Sequence, residues 1–344
     1  MKKLFLFLFL APLLGILSSL LFSLYLLEYK KYLGPEVYFT ITEGERFSQI
    51  NARLKEENLI VSSRLFHMYA KHENILTKFK VGTFKLVPPF NMIELVNILT
   101  KGTPIGIRVT VPEGKNLYEI ARIFHDAKIV NFNEFIKYCF DEKLMKELQV
   151  FPSPSFEGFL FPDTYIFSSP TSAVSIIKHM VNNFKTKTSK LNLPPSFTKL
   201  FSIITLASIV EKETGAGHER SLIAGVFTNR LEKRMPLQSD PTTIYGLFPN
   251  FNGNLKKKDL LQHTPYNTYK IIGLPLGPIT SPGIEAIRAT LNPAKHQYLF
   301  FVSRNDGTHI FSKTYNDHLN AVRNFQINRS NREGKSWRQL NEKK

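Results

Sequence analysis

From Leu4 to Leu27 the chain carries no ionisable side chain except Tyr25, and polarity returns abruptly at Glu28, Lys30 and Lys31. As a helix these residues would rise about 36 Å, more than the roughly 30 Å of a bilayer's hydrocarbon core. The pattern predicts a transmembrane helix over residues 4–27, with residues 1–3 as a stub outside it. A cleaved signal peptide is the competing reading, but its apolar region would be shorter, roughly 7 to 15 residues, and would end in a small-x-small site. Tyr25, Glu28, Tyr29, Lys30 and Lys31 follow instead. Orientation is weakly encoded, because Lys2 and Lys3 on one side face Lys30 and Lys31 on the other.

Two segments 70 residues apart then read alike: Phe39-Thr-Ile-Thr-Glu-Gly44 and Val109-Thr-Val-Pro-Glu-Gly114. In each, a short alternating stretch predicts a strand, Glu-Gly a turn, and the following spacing an amphipathic helix. Phe47, Ile50 and Leu54 line one face of the first helix, and Leu117, Ile120 and Phe124 one face of the second. A further helix follows in each copy, at Leu65–Tyr69 and Phe135–Tyr138. The chain therefore repeats a small α+β module. After the first copy come a strand, Val81–Leu86, and a helix, Met92–Leu99, stopped by Lys101-Gly102. After the second, Phe156-Glu-Gly-Phe-Leu-Phe-Pro-Asp-Thr-Tyr165 takes the corresponding place. Within it, Glu157 reads as a turn carboxylate and Asp163 as a turn former or helix cap, with direct catalytic roles as the alternative.

Thr186–Ser196, with Lys187, Lys190 and Pro194-Pro195, reads as a boundary, and a new domain begins near Phe197. Leu200–Val210 is apolar except for Ser202, Thr205 and Ser208, which predicts a helix buried on most of its circumference. It runs into Glu211-Lys-Glu-Thr214, and an amphipathic helix follows at Leu222–Leu231. The next region is rich in Pro, Gly, Tyr and Asn, the irregular backbone that often lines a site. There Ser281-Pro282 fits an N-cap followed by Pro at the first helical position. Tyr298–Ser303 and His309–Ser312 alternate around Asn305-Asp-Gly307, a strong hairpin signal, and the tail from Asn328 is polar and basic.

Composition narrows the class. The 344 residues are 43% hydrophobic, enough for a sizeable core, and 45 Lys+Arg against 28 Asp+Glu give a net charge of +17. Such an excess suits an anionic neighbourhood: nucleic acid, anionic lipid headgroups or an acidic polymer. If the bulk of the chain lies across a membrane from its stub, nucleic acid drops out. Cys139 is the one cysteine, which excludes an internal disulfide and a multi-cysteine zinc site and, between Tyr138 and Phe140, reads as a buried structural thiol. No His/Asp/Glu set shows metal-ligand spacing and no Gly-rich phosphate loop is present, so no metal or cofactor is expected.

A carboxylate at the end of a buried helix is a candidate general acid, because desolvation favours its neutral form. Glu211 and Glu213 lie two residues apart, about 200° around a helix, so both cannot face one cleft. Helical phase puts Glu211 on the stripe of Leu200, Ile204 and Ala207, and Glu213 at the edge of the apolar arc beside Leu206 and Ile209. Phase leaves the choice open, as does the plainer reading of two solvated glutamates at a frayed helix end.

The residues Ala207-Ser-Ile-Val-Glu-Lys-Glu-Thr214, Arg230-Leu231, Leu237-Gln-Ser-Asp-Pro-Thr-Thr-Ile-Tyr-Gly246, Tyr266-Asn-Thr-Tyr269, Gly273-Leu-Pro-Leu-Gly-Pro278 and Asn292-Pro293 together resemble the MltG (YceG-like) family of endolytic murein transglycosylases. The resemblance covers nearly the whole chain. It implies an α+β fold: the membrane helix, LysM-like modules at 36–105 and 106–190, then a catalytic domain at 191–327 with a lysozyme-like active-site helix, and a tail at 328–344. It also implies a polysaccharide lyase at the bacterial cytoplasmic membrane, single-pass, its catalytic domain outside. Peptidoglycan strands are the implied substrate and cell-wall synthases the implied protein partners. Lytic transglycosylases place the catalytic Glu directly before a small hydroxyl residue, which points to Glu213 before Thr214, with Glu211 as the alternative. Gln238, Asp240, Tyr245, Tyr266, Asn267 and Tyr269 are the expected sugar-binding groups, offering aromatic faces, amides and hydroxyls. A noncatalytic peptidoglycan-binding scaffold and a hydrolytic muramidase are the other readings.

Overall fold

The computed structural model describes residues 2–42 and 44–328, with side chains from residue 12 onward, so Glu43 and the basic tail from residue 329 lie outside the described residues. Two compact units divide the chain. One holds the residues up to Arg108 with Lys128–Val130 and Ile166–Ser172; the other holds Val109–Ala127, Asn131–Tyr165 and the described residues from Ala173 on. The expected boundary near residue 191 falls inside the second unit.

The first unit runs α1 (Lys2–Glu28), β1 (Val37–Ile41), α2 (Phe47–Glu56), α3 (Ser63–His72), β2 (Gly82–Leu86) and α4 (Met92–Lys101). β1 and β2 pair antiparallel, Phe39 opposite Phe84 and Ile41 opposite Gly82. Strand alternation turns Phe39, Ile41, Phe84 and Leu86 to one face, where Ile50 and Leu54 of α2, Phe66 of α3, and Leu95 and Leu99 of α4 complete a core. Thr40 and Thr83 share a hydrogen bond at 2.9 Å. Ser62 caps α3, and Asn91 and Glu94 cap α4 reciprocally.

The expected span over residues 4–27 is not met here: among the described residues no helix is long and apolar enough to cross a membrane.

The second copy of the repeat is β3 (Gly106–Thr110), α5 (Leu117–Asp126), α6 (Phe132–Cys139), a short α7 (Glu142–Glu147) and β4 (Thr164–Ser168), with β3 paired to β4. Leu117, Ile120 and Phe124 are buried as their spacing predicted, as are Ile50 and Leu54 in the first copy, while Phe47 is half-buried. Cys139 is fully buried, and burial pushes its thiol up, as befits a structural residue. The copies differ after the second helix. Phe156–Phe161 forms buried turns, and the strand starts only at Thr164. Asp163 caps no helix; it pairs with Lys187 at 2.9 Å and accepts from Asn183 at 3.1 Å.

Beyond β4 come α8 (Ala173–Thr188), α9 (Phe197–Glu213), α10 (Arg220–Glu232), α11 (Asp240–Gly246), α12 (Lys257–Leu261), α13 (Ile284–Leu291), the antiparallel pair β5 (Phe300–Ser303) and β6 (His309–Ser312), and α14 (Tyr315–Val322). Helix α8 goes unpredicted from the sequence; it buries Ile176, Ile177, Met180, Val181 and Phe184. Leu206, Ile209 and Val210 of α9 pack with Ile223 and Phe227 of α10, Ala289 of α13 and Ile279. The hairpin turn is as expected, with Asn305 and Gly307 in left-handed conformations at φ 68° and 90°. One helix start is corrected: α13 begins at Ile284 with Gly283 as N-cap, not at Pro282. Ser281 is held by backbone instead, its N–H donating to Lys115 O at 2.8 Å and its carbonyl accepting from Gly114 N–H at 3.0 Å.

Gly158 packs closely against α9. Its φ is +84°, and a Cβ there would lie 2.6 Å from Pro278 Cβ and 2.8 Å from Ile204 Cγ2. Gly158→Ala should therefore cost about 3 kcal/mol, combining left-handed strain with overpacking, and a denaturant midpoint measured against the parent would register it.

Candidate active site

Helix α9 is buried at every position from Ile204 to Val210 and ends at Glu213. Thr214 closes it, its N–H at 3.1 Å and its hydroxyl at 2.7 Å both donating to Val210 O. The small hydroxyl residue after Glu213 thus fixes the helix end that presents the carboxyl. Glu213 Oε1 accepts the Ser239 hydroxyl at 2.6 Å. Ser239 is the N-cap residue of α11, yet its side chain makes no cap hydrogen bond and turns to Glu213. Its N–H donates to Thr268 Oγ1 at 3.0 Å and its carbonyl accepts from Thr242 Oγ1 at 2.6 Å; the two threonine hydroxyls meet at 2.8 Å. All three residues are buried. Arg230 fastens the approach to this loop, donating to Leu237 O at 2.9 Å, Pro236 O at 3.3 Å and Leu299 O at 2.6 Å.

Burial pushes the Glu213 carboxyl up to about 7; the Ser239 hydrogen bond opposes that, the Asp240 charge adds to it, and Arg230 and Lys212 oppose it. Glu211 is also raised, by burial first, but it is committed elsewhere: Oε2 accepts Gly283 N–H at 3.1 Å at the start of α13. The Glu113 carboxyl lies over the same glycine, where a Cβ would come within 1.9 Å of its Oε1. The two glutamates that spacing could not separate therefore have different partners.

A third carboxyl is the most buried. Glu157 is 1% exposed, and Oε2 accepts Leu117 N–H, the first of α5, at 2.9 Å, while Oε1 has no partner of good geometry. Burial drives it up to about 8 against the pull of Leu117 N–H and the Tyr245 hydroxyl. It stands in a turn, as the sequence suggests, but a buried one in which burial favours its neutral form.

The expected sugar-binding groups separate into two kinds. Asp240 and Gln238 are exposed; Tyr269 is half-buried and donates to Asp240 Oδ1 at 2.7 Å. Tyr245 is buried beside Glu157, and Tyr266 packs edge-on against it with ring centroids 4.7 Å apart. Asn267 is corrected to a structural residue: fully buried, it donates to Leu260 O at 3.1 Å and Gln262 O at 2.6 Å and accepts from Thr243 Oγ1 and Tyr269 N–H, both at 3.0 Å. No side-chain amide valence is left for a ligand. Ser239 and Arg230 both stand inside motifs that carry the family resemblance, but only their partners, distant in sequence, reveal their use. Among the described residues no group of three His, Cys, Asp or Glu is placed to hold a metal ion.

Four of the motif-bearing segments, those holding Glu213, Arg230, Ser239 and Thr268, thus meet around one carboxyl, and the sequence matches the YceG-like family over residues 39–324. The chain belongs to the YceG-like family. An endolytic murein transglycosylase of Bacillus subtilis is 33% identical over 306 residues, 84% of this chain and 84% of that protein. One of Streptococcus pneumoniae is 31% identical over 327 residues, 84% of this chain but 57% of its own length. The crystal structure of a YceG-like protein of Listeria monocytogenes superposes with a TM-score of 0.57 at 30% identity, covering 85% of this chain and 99% of that one. The resemblance read from motifs therefore holds, and the YceG-like region takes in both repeat copies as well as α9.

These carboxyls link folding to pH. Glu157 and Glu213 titrate higher in the fold, about 8 and about 7, than the ordinary 4.5. The folded state thus holds protons that the unfolded state has released. Their contribution is fully present below pH 4.5 and is lost as pH rises towards 7 and 8. In Glu157→Gln, the fall in unfolding free energy between pH 5 and 8 should become shallower by about 1.4 kcal/mol per pH unit. Urea titrations at several pH values read that slope; an unchanged slope would mean Glu157 is ionised in the fold.

Proposed function

We propose that this chain is an endolytic murein transglycosylase. It cuts the bond between N-acetylmuramic acid and N-acetylglucosamine within glycan strands, leaves 1,6-anhydro ends, and so terminates strand elongation. The observation that carries this reading is Glu213, a carboxyl raised to about 7 by burial and held by one hydroxyl. The names borne by its relatives supply the substrate class. Protonated Glu213 gives its proton to the glycosidic oxygen as the bond to the anomeric carbon breaks. The resulting carboxylate takes the proton of the muramyl 6-hydroxyl as that oxygen attacks the same carbon. The proton is restored to Glu213, and no water is consumed.

The strand-helix-helix-strand order of the first copy, kept in the second apart from the added short α7, supports reading them as LysM-like modules that hold the strand. The anchor reading is supported by α1 itself: Leu13, Ile16, Leu20, Leu21 and Phe22 are all exposed, an arrangement unfavourable in water and relieved by lipid. Residues 4–11 are apolar in sequence too, and together with 12–27 they would suffice for one span with the rest of the chain outside.

Mass spectrometry of glycan strands after incubation with the protein tests the reaction. Anhydro-muramyl ends should appear with the parent chain and with Glu211→Gln, and fall at least about 100-fold with Glu213→Gln. Reducing ends would make the enzyme a hydrolase, and no product from any form would leave a binding scaffold. With Glu213 as the acid, kcat/KM should fall tenfold per pH unit above about 7. Ser239→Ala removes the hydrogen bond that favours ionised Glu213, so this alkaline limb should move to higher pH while Ser239→Thr restores it. A limb that stays in place would show that Ser239 does not tune the acid.

A further inference from the structure

Two cavities in the second unit, of about 230 and 410 Å³, share Glu119, Phe248 and Phe251 in their walls and form one groove. Its inner end is lined by Lys212 and Pro241, the chain neighbours of Glu213 and Asp240. Its outer part runs along α5, past Tyr118 and Arg122, to Phe132 and Pro249. The floor is aromatic: Tyr118 stacks on Phe248 with ring centroids 5.5 Å apart and 10° between planes, and Phe248 meets Phe251 at 6.0 Å. Half-buried rings of this kind offer flat apolar faces to sugar rings.

The walls are basic, with the charges sorted. Lys115 is neutralised by Glu119 at 2.7 Å, and the Glu119 carboxyl also receives Asn116 N–H in the cap of α5. Arg122 has no carboxylate partner among the described residues; its guanidinium lies 5.3 Å from the Phe132 ring centroid, a seating that keeps its edge available. Lys212, exposed, reaches only Gly114 O at 3.4 Å. The groove therefore offers an aromatic track with unpaired cations at both ends.

We propose that this groove binds the peptide-bearing part of the glycan strand, with sugar faces on the Phe248 and Phe251 rings and a stem-peptide carboxylate on Arg122. The inference rests on the proposed substrate class and adds to it a selectivity for strands that carry acidic peptides over bare ones. A guanidinium takes a carboxylate through two parallel hydrogen bonds, which suits Arg122 to that task better than a lysine.

The test uses the full chain carrying Glu213→Gln and fluorescent glycan strands with their stem peptides either intact or removed by an amidase, the muramyl lactyl carboxylate that removal exposes being capped as its methyl amide. Arg122→Ala should weaken binding of peptide-bearing strands about tenfold and leave bare strands within about twofold. Arg122→Lys should recover only part of the loss, and Phe251→Ala should weaken both kinds of strand. Equal affinity for the two kinds of strand, unchanged by Arg122→Ala, would overturn the proposal, as would no binding of either. Cleavage by the chain with Glu213 intact is read separately: anhydro products without Arg122-dependent binding sink the groove alone. Arg122-dependent binding without products sinks the reaction and keeps the groove.

Discussion

Removing a carboxyl from water without giving it a formal counter-ion is the constraint on which the second unit depends. A solvated glutamate is ionised at neutral pH and is a poor acid; only a site that withholds water keeps the proton available. Helix α9 meets this by being buried over Ile204–Val210, so that the chain reaches Glu213 out of a packed core. α10 and α13 supply that packing. Arg230 of α10 then ties Pro236 and Leu237 down, which delivers Ser239 to the carboxyl. An N-cap serine that caps its own helix is worth about 1 kcal/mol; here that stabilisation is forgone for a hydrogen bond to Glu213.

The second repeat copy shows how a duplicated module takes on a new task. In the first copy the turn glycine, Gly44, stands in open space. In the second, Gly114 N–H donates to Ser281 O and Ser281 N–H returns to Lys115 O, a two-way backbone tie. Lys212 of α9 reaches Gly114 O as well. Farther along, Glu157 caps the start of α5 from within the core, and Gly158 lets Pro278 and Ile204 close over it. Much of the copy is thereby built into the surroundings of α9: α5, α6 and α7 fall in one compact unit with α9, while Gly106–Arg108, Lys128–Val130 and Ile166–Ser168 fall with its sister.

Period-based reading recovered what depends on local pattern. The duplicated strand and helix, the buried faces at Ile50 and Leu54 and at Ile120 and Phe124, and the Asn305-Asp-Gly307 hairpin all announce themselves within ten or so residues. It failed where a residue's role is set by a distant partner. Ser281-Pro282 has the chemistry of a helix start, but the backbone tie to Lys115 holds it and α13 begins two residues later. Asn267 has the chemistry of a sugar-binding amide, and three carbonyls between Asp259 and Gln262 take its donors. Glu157 reads as an ordinary turn carboxylate, since nothing in the sequence nearby reveals that it is buried and bonded to Leu117 N–H, forty residues away. Helix α8 was hidden behind a basic, proline-bearing stretch that marks only its end.

For the proposed reaction, preferring Glu213 over Glu211 rests on a property that neither spacing nor burial contains. An acid that must also serve as a base passes through two protonation states, and its partner has to suit both. A backbone N–H can only donate, so Gly283 favours the ionised form of Glu211 at every moment. A hydroxyl donates to a carboxylate and, by rotating about one bond, accepts from a carboxylic acid. Ser239 is thus a partner that either form of Glu213 can use, and the hydroxyls of Thr242 and Thr268 fix the serine's backbone beside it. Both glutamates are raised by burial, and for the proposed reaction the hydroxyl partner of Glu213, which can serve either protonation state, favours it over Glu211.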